Sequence, residues 1–76
     1  MESKLEMFLA FQLYSNGRMN KINIMVDHLW IDNNRLYFRV LEGKSLNQKY
    51  FKKKYKTNVY SISREDIVSI RCRIYF

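Results

Sequence analysis

Asn16-Gly17 narrows what this chain can fold into more than any other feature of its sequence. A two-residue type I′ hairpin turn needs positive φ at both central residues, which Gly adopts freely and Asn tolerates well. A hairpin closed there sets Phe11 opposite Ile22, Leu9 opposite Ile24 and Met7 opposite Val26. The other face then pairs Gln12 with Lys21 and Ala10 with Asn23. A register that sorts apolar from polar on both strands at once specifies a half-buried sheet. The rival for residues 4–14 is a helix, because Ser3 with Glu6 matches a capping box and Leu5, Phe8, Leu9 and Gln12 would share one side. The hairpin is preferred because it explains two segments together.

A second hairpin follows. Residues 28–32 run into Asn33-Asn34 and then into residues 35–40, which pairs Asp32 with Arg35, Ile31 with Leu36 and Trp30 with Tyr37. The second strand then extends from about Asn20 to Ile31 and bends near Asp27-His28, as strands do when one strand serves two hairpins. Trp30 and Tyr37 read as cross-strand partners in the core. Further on, residues 59–62 read as a strand and residues 63–66 as a turn or single helical turn. In the last segment Val68, Ile70, Cys72, Ile74 and Phe76 alternate with Ser69, Arg71, Arg73 and Tyr75, the pattern of a half-buried strand with a basic outer face. Residues 45–56 stay open between an extended strand or loop and one short helix capped by Ser45 and Gln48, with the extended form preferred. The expected fold is all-β or mainly β: an antiparallel sheet of about five strands curled into a small barrel. The run Leu-Trp-Ile-Asp-Asn-Asn-Arg-Leu-Tyr-Phe, followed by Tyr-Ser-Ile-Ser-Arg-Glu-Asp-Ile-Val-Ser-Ile, resembles the strand pattern of pleckstrin-homology-like barrels over about residues 29 to 70. It does so through hairpin residues common to many small β proteins.

Seventy-six residues make a single small domain, residues 1–76, with a thin core. Such a core supplies no more than about 3–5 kcal/mol, and small proteins often add a staple. One cysteine, Cys72, offers no internal disulfide, and the one histidine offers no metal cluster. Neither a transmembrane segment nor an export signal is read from residues 1–12, whose apolar run is short and broken by Gln12. The expected setting is cytoplasmic and reducing. A composition rich in Lys, Ile, Asn and Tyr with no Pro fits an AT-rich genome, such as that of a virus, phage or mobile element.

No catalytic group, cofactor or metal is expected. A glycine-rich phosphate loop is absent, and His28 and Cys72 are far apart in sequence. Cys72 falls on the inward face of the last strand and reads as core filler. The candidate for function is the run of residues 49–56, which puts five lysines and three aromatic rings into eight positions with no acid. With Lys44 added, residues 44–56 hold +6 of the chain's +7 net charge. On a strand, alternate lysines would sit about 6.6–6.8 Å apart, a row able to follow a phosphate backbone. Tyr50 and Tyr55 would stack on unpaired bases. The candidate nucleic-acid-binding residues are therefore Lys49, Tyr50, Lys52, Lys53, Lys54, Tyr55 and Lys56, with Arg71 and Arg73 joining them if their face lies alongside. DNA and RNA are not separable at this level. The plainer role for the lysines is protection of an exposed sheet edge. Two rival functions stand beside nucleic-acid binding. One is a protein-interaction module, such as a virus- or phage-encoded inhibitor docking on an acidic host protein. The other is a homo-oligomeric subunit, pairing as a homodimer through the C-terminal edge strand.

Overall fold

The computed structural model describes residues 6–41, 46 and 50–75. They form one antiparallel six-stranded sheet: β1 (Glu6–Ser15), β2 (Arg18–Asp32), β3 (Arg35–Val40), β4 (Lys52–Lys53), β5 (Val59–Ser63) and β6 (Ile67–Tyr75). The spatial order is β4-β5-β3-β2-β1-β6. A single 3-10 turn, Arg64–Asp66, joins β5 to β6 and is capped by Ser63, whose hydroxyl accepts from the Glu65 amide. No α-helix occurs among the described residues.

Both hairpins form in the register that the sequence predicts. Asn16 and Gly17 take φ of 53° and 74°, and Asn33 and Asn34 take 47° and 62°. These are left-handed pairs of the kind a type I′ turn requires. Phe11 faces Ile22, Leu9 faces Ile24, and Met7 faces Val26. Across the second turn, Trp30 faces Tyr37 and Ile31 faces Leu36.

The bend in β2 is a bulge. Val26 pairs with Val40 and His28 pairs with Arg39, so Asp27 is an extra residue with no partner opposite. Side chains alternate along a strand with period two, and one inserted residue exchanges the two faces beyond it. Before the bulge, Ile24 and Val26 point inward and are buried. After it, Leu29 pairs with the buried Phe38 on the inward face, while His28, Trp30 and Asp32 turn outward. Trp30 and Tyr37 are consequently not core residues, contrary to the sequence reading: Trp30 is 42% exposed.

The coiled sheet brings its two halves face to face around an aromatic centre. Phe11 of β1 and Phe38 of β3 have ring centroids 5.7 Å apart, and Phe51 lies 5.6 Å from each. Phe51 belongs to the chain between β3 and β4 and is 1% exposed, with Leu46 and Tyr50 packed beside it. The inward residues Met7, Leu9, Leu13, Ile24, Val26, Leu36, Val40, Tyr60 and Ile62 complete the buried cluster.

Three further expectations are corrected. The sheet is not closed into a barrel: β4 and β6 are its two edges. The described residues form six strands rather than about five, because Lys52 and Lys53 pair with Ser61 and Tyr60. No short helix is found in the described part of residues 45–56; residues 45 and 47–49 lie outside the described set. The lysine-rich run has too few apolar positions on one side to hold a helix against the core, so it lies along the sheet edge. An open sheet also leaves β6 uncovered. Ile70, Cys72 and Ile74 pair with Phe11, Leu9 and Met7, as an inward face should. They are nevertheless exposed, and Cys72 is not buried filler.

Phe51→Ala is expected to lower stability by about 3–5 kcal/mol, a large share of what a domain this small possesses. Tyr55→Ala, at a site that is 83% exposed, should change it by less than about 0.5 kcal/mol. Urea denaturation checks both. Similar midpoints for the two variants would mean that Phe51 does not seal the core.

Candidate functional site

The lysine-rich run forms one arm and the tip of a hairpin. The Lys54 amide donates to the Val59 carbonyl at 2.8 Å, and the Thr57 amide donates back to the Lys54 carbonyl at 3.1 Å. Thr57 secures the loop from within: its hydroxyl donates to the Lys54 carbonyl at 2.9 Å and accepts from the Val59 amide at 3.1 Å. Lys56 takes a positive φ of 57° to complete the turn. The expected straight row of alternate lysines does not form, because β4 is only Lys52–Lys53 and the chain turns immediately after it. The lysines fan around the hairpin instead. Lys56 Nζ sits 5.4 Å from the ring centre of Tyr55, and Lys53 Nζ sits 6.0 Å from that of Tyr60.

Register places the base of this hairpin beside the outward aromatic pair. Trp30 of β2 faces Tyr37 of β3, Tyr37 faces Ser61 of β5, and Ser61 faces Lys52 of β4. Adjacent strands lie about 4.8 Å apart, so these four positions make a row of roughly 14 Å across the outer face. The Trp30 and Tyr37 rings are stacked, 5.6 Å between centroids and 7° from parallel. Arg35 on β3 is engaged with β5, its Nε and Nη2 donating to Ser61 Oγ at 3.2 and 3.0 Å. A shallow depression results, lined by Trp30, Tyr37, Arg35 and Lys52, Lys53 and Lys54, with Asp32 opposite Arg35.

The other sequence candidates are distributed differently. Lys49 lies outside the described residues. Tyr50 is half-buried, packed on the core with its ring 6.4 Å from that of Phe51. Its surroundings are those of a structural residue rather than a platform for bases. Tyr55 and Lys56 are exposed at the hairpin tip. Arg71 and Arg73 pair with Ala10 and Phe8 on β6, at the edge of the sheet opposite β4. Arg71 lies near Lys21 in a separate shallow depression over Ala10. The lysine hairpin thus gathers Arg35, Trp30 and Tyr37 around it, and not Arg71 or Arg73. The signal for Trp30 was in the sequence, since the suspected bend at Asp27-His28 implies a change of face if it is a bulge.

Arg39, one row away on the same outer face, is already engaged. Its Nε and Nη2 donate to the two Asp27 carboxylate oxygens, each at 2.8 Å. This bidentate contact spans from the bulge to β3 and fixes the extra residue in place. The hydrogen bond from Arg39 holds the Asp27 carboxyl below its ordinary value of 3.8, outweighing partial desolvation, which acts in the opposite direction. The same bond raises Arg39. Among the described residues no group of three or more His, Cys, Asp or Glu side chains could hold a metal ion, and no helix is long and apolar enough to cross a membrane.

Comparison with protein-family models, with curated proteins and with solved structures finds no match.

The Asp27–Arg39 pair sets an acid limb of stability. A carboxylate with a depressed folded pKa stabilises fully above its unfolded value and loses that contribution as pH falls through the folded value. Asp27→Asn should therefore lower the urea midpoint slightly at neutral pH, with the gap to wild type closing as pH falls below the ordinary carboxyl value of 3.8. A gap that stays constant through this window would show that the charge of Asp27 is not what holds the bulge.

Proposed function

We propose that this chain is a small non-enzymatic β-domain that binds nucleic acid through phosphate contacts and base stacking. One observation supports this reading above the others. Lys52, Lys53, Lys54 and Arg35 line the same depression as an outward Trp30–Tyr37 pair. Lysines that only protect a sheet edge need no exposed aromatic neighbours, whereas a surface for nucleic acid needs both a charge for phosphate and a ring for bases. The lysines are also uncommitted to acids: among the described residues the ion pair is that between Arg39 and Asp27. Neutralising about four phosphates gives a log–log salt slope between about −3 and −4, shallower on a single strand than on a duplex. Fluorescence anisotropy with labelled DNA and RNA across a salt series measures it. Changing Lys52, Lys53 and Lys54 together to Glu is expected to abolish binding. Binding that is flat with salt, or that survives the triple reversal, would refute this function.

A second reading has its own observation in β6, where Val68 and Ile74 are 54% and 53% exposed and Ile70 and Cys72 are uncovered. An unblocked apolar edge strand is a template for pairing, and a second copy of the chain is an occupant it suits. Antiparallel pairing about a two-fold axis at Ile70 sets Ile70 against itself, Cys72 against Val68 of the partner subunit and Arg71 against Ser69 of the partner subunit. Arg71 and Arg73 then avoid their own copies, and the lysine hairpins stand at the two far ends of the joined sheet. Sedimentation at high protein concentration should show a dimer that Ile70→Lys converts to a monomer. A wild-type monomer would remove this reading without touching the first.

A further inference from the structure

We infer that the Trp30–Tyr37 pair is a stacking platform for unpaired bases, so that the site takes single-stranded nucleic acid in preference to duplex. The inference rests on the nucleic-acid reading above and narrows it to a substrate class and to two residues that the sequence pattern assigned to the core.

Three features support it. The first is exposure: a tryptophan 42% open to solvent on the outer face of a sheet forgoes burial that the same ring would gain on the inner face. Second, the pair is held in advance of any ligand. The Asn33-Asn34 turn fixes the cross-strand register, and the rings lie 7° from parallel. A ring already fixed against its neighbour loses little freedom on binding. The third is the arrangement of charge. Arg35, Lys52, Lys53 and Lys54 stand on the β3–β5–β4 side of the rings, and the one acid of the lining, Asp32, lies directly opposite Arg35. A strand crossing this face would therefore run its phosphates along the lysines and turn its bases towards Trp30. Bases within a duplex have their flat faces covered by neighbouring pairs and offer only edges, which an aromatic face cannot read. Unpaired bases offer the face itself, and aromatic stacking accepts any of them. An aromatic cross-strand pair also stabilises its own hairpin modestly. That role is silent about ligands, and the test separates the two.

Trp30 is the chain's one tryptophan, so its fluorescence reports the site directly. The experiment titrates the full chain with an oligothymidine of about twelve nucleotides, an oligouridine of equal length and a blunt duplex of equal length. The expected results are tighter binding of the single strands than of the duplex, quenching of Trp30 fluorescence by them, and a loss of roughly ten- to a hundredfold in single-strand affinity for Trp30→Ala. The salt slope of that variant should be unchanged, because no phosphate contact is removed. If Trp30→Ala melts, Trp30→Leu keeps apolar cover on the hairpin while removing the ring. If all three ligands bind alike, Trp30 fluorescence does not respond and the folded Trp30 variant binds normally, the platform is refuted. In that case the loss of binding on reversal of Lys52–Lys54 would still leave the nucleic-acid function standing. If no ligand binds at low salt, both the function and the platform fail.

Discussion

Asp27 decides which face of the sheet carries Trp30. Had β2 alternated without interruption, the inward series Ile22, Ile24 and Val26 would have continued through His28 and Trp30, and Leu29 and Ile31 would have pointed to solvent. One extra residue exchanges these sets. Leu29 joins Phe38 on the inner side, and Trp30 joins Tyr37 on the outer side, next to Ser61 and Lys52. A bulge leaves one residue out of the ladder, and the arrangement holds because Arg39 closes on the Asp27 carboxylate with two charge-assisted hydrogen bonds. The contact sits on the surface, so its worth lies less in stability than in fixing a single register for the second half of the sheet.

The absence of closure shapes the rest. A closed barrel has no edges, whereas here both β4 and β6 are edges and each is handled differently. The β4 edge is two residues long and studded with lysines, which prevents pairing and concentrates charge. The β6 edge is nine residues long and presents inward-type side chains that stay exposed. The core compensates for the open side with rings: Phe51 enters from the connection between β3 and β4 and meets Phe11 and Phe38 edge-on, at angles of 67° and 87°. Edge-to-face rings fill space that aliphatic side chains of a chain this short would leave empty.

Much of this was legible in the sequence, and the remainder has definite physical causes. Asn16-Gly17 and Asn33-Asn34 announced both hairpins because positive φ restricts residue choice, and alternation on either side then fixed the register. The same alternation misplaced Trp30 and Tyr37, since counting by twos fails across an unpaired residue. Cys72 was assigned the correct side of β6 but the wrong environment, because pairing is a local property and cover depends on whether distant strands meet. The lysine-rich run offered only an alternation interrupted at Lys53, so its hairpin became visible only through its pairing with β5. Arg71 and Arg73 illustrate the same limit: sequence shows that they share a face, and only strand order shows that the face belongs to the other end of the sheet.

Trp30 and Tyr37 on the outer face, together with Arg35 and the Lys52–Lys54 arm of the hairpin, are proposed to form a single binding surface. Backbone and indole NMR shifts, followed while an oligothymidine is titrated into the labelled protein, test it most directly. The Trp30 indole N–H and the amides of Arg35, Tyr37, Lys52, Lys53 and Lys54 should move together, while those of Ile70, Arg71 and Arg73 stay still. Shifts confined to β6, or spread evenly over every lysine and arginine, would contradict it.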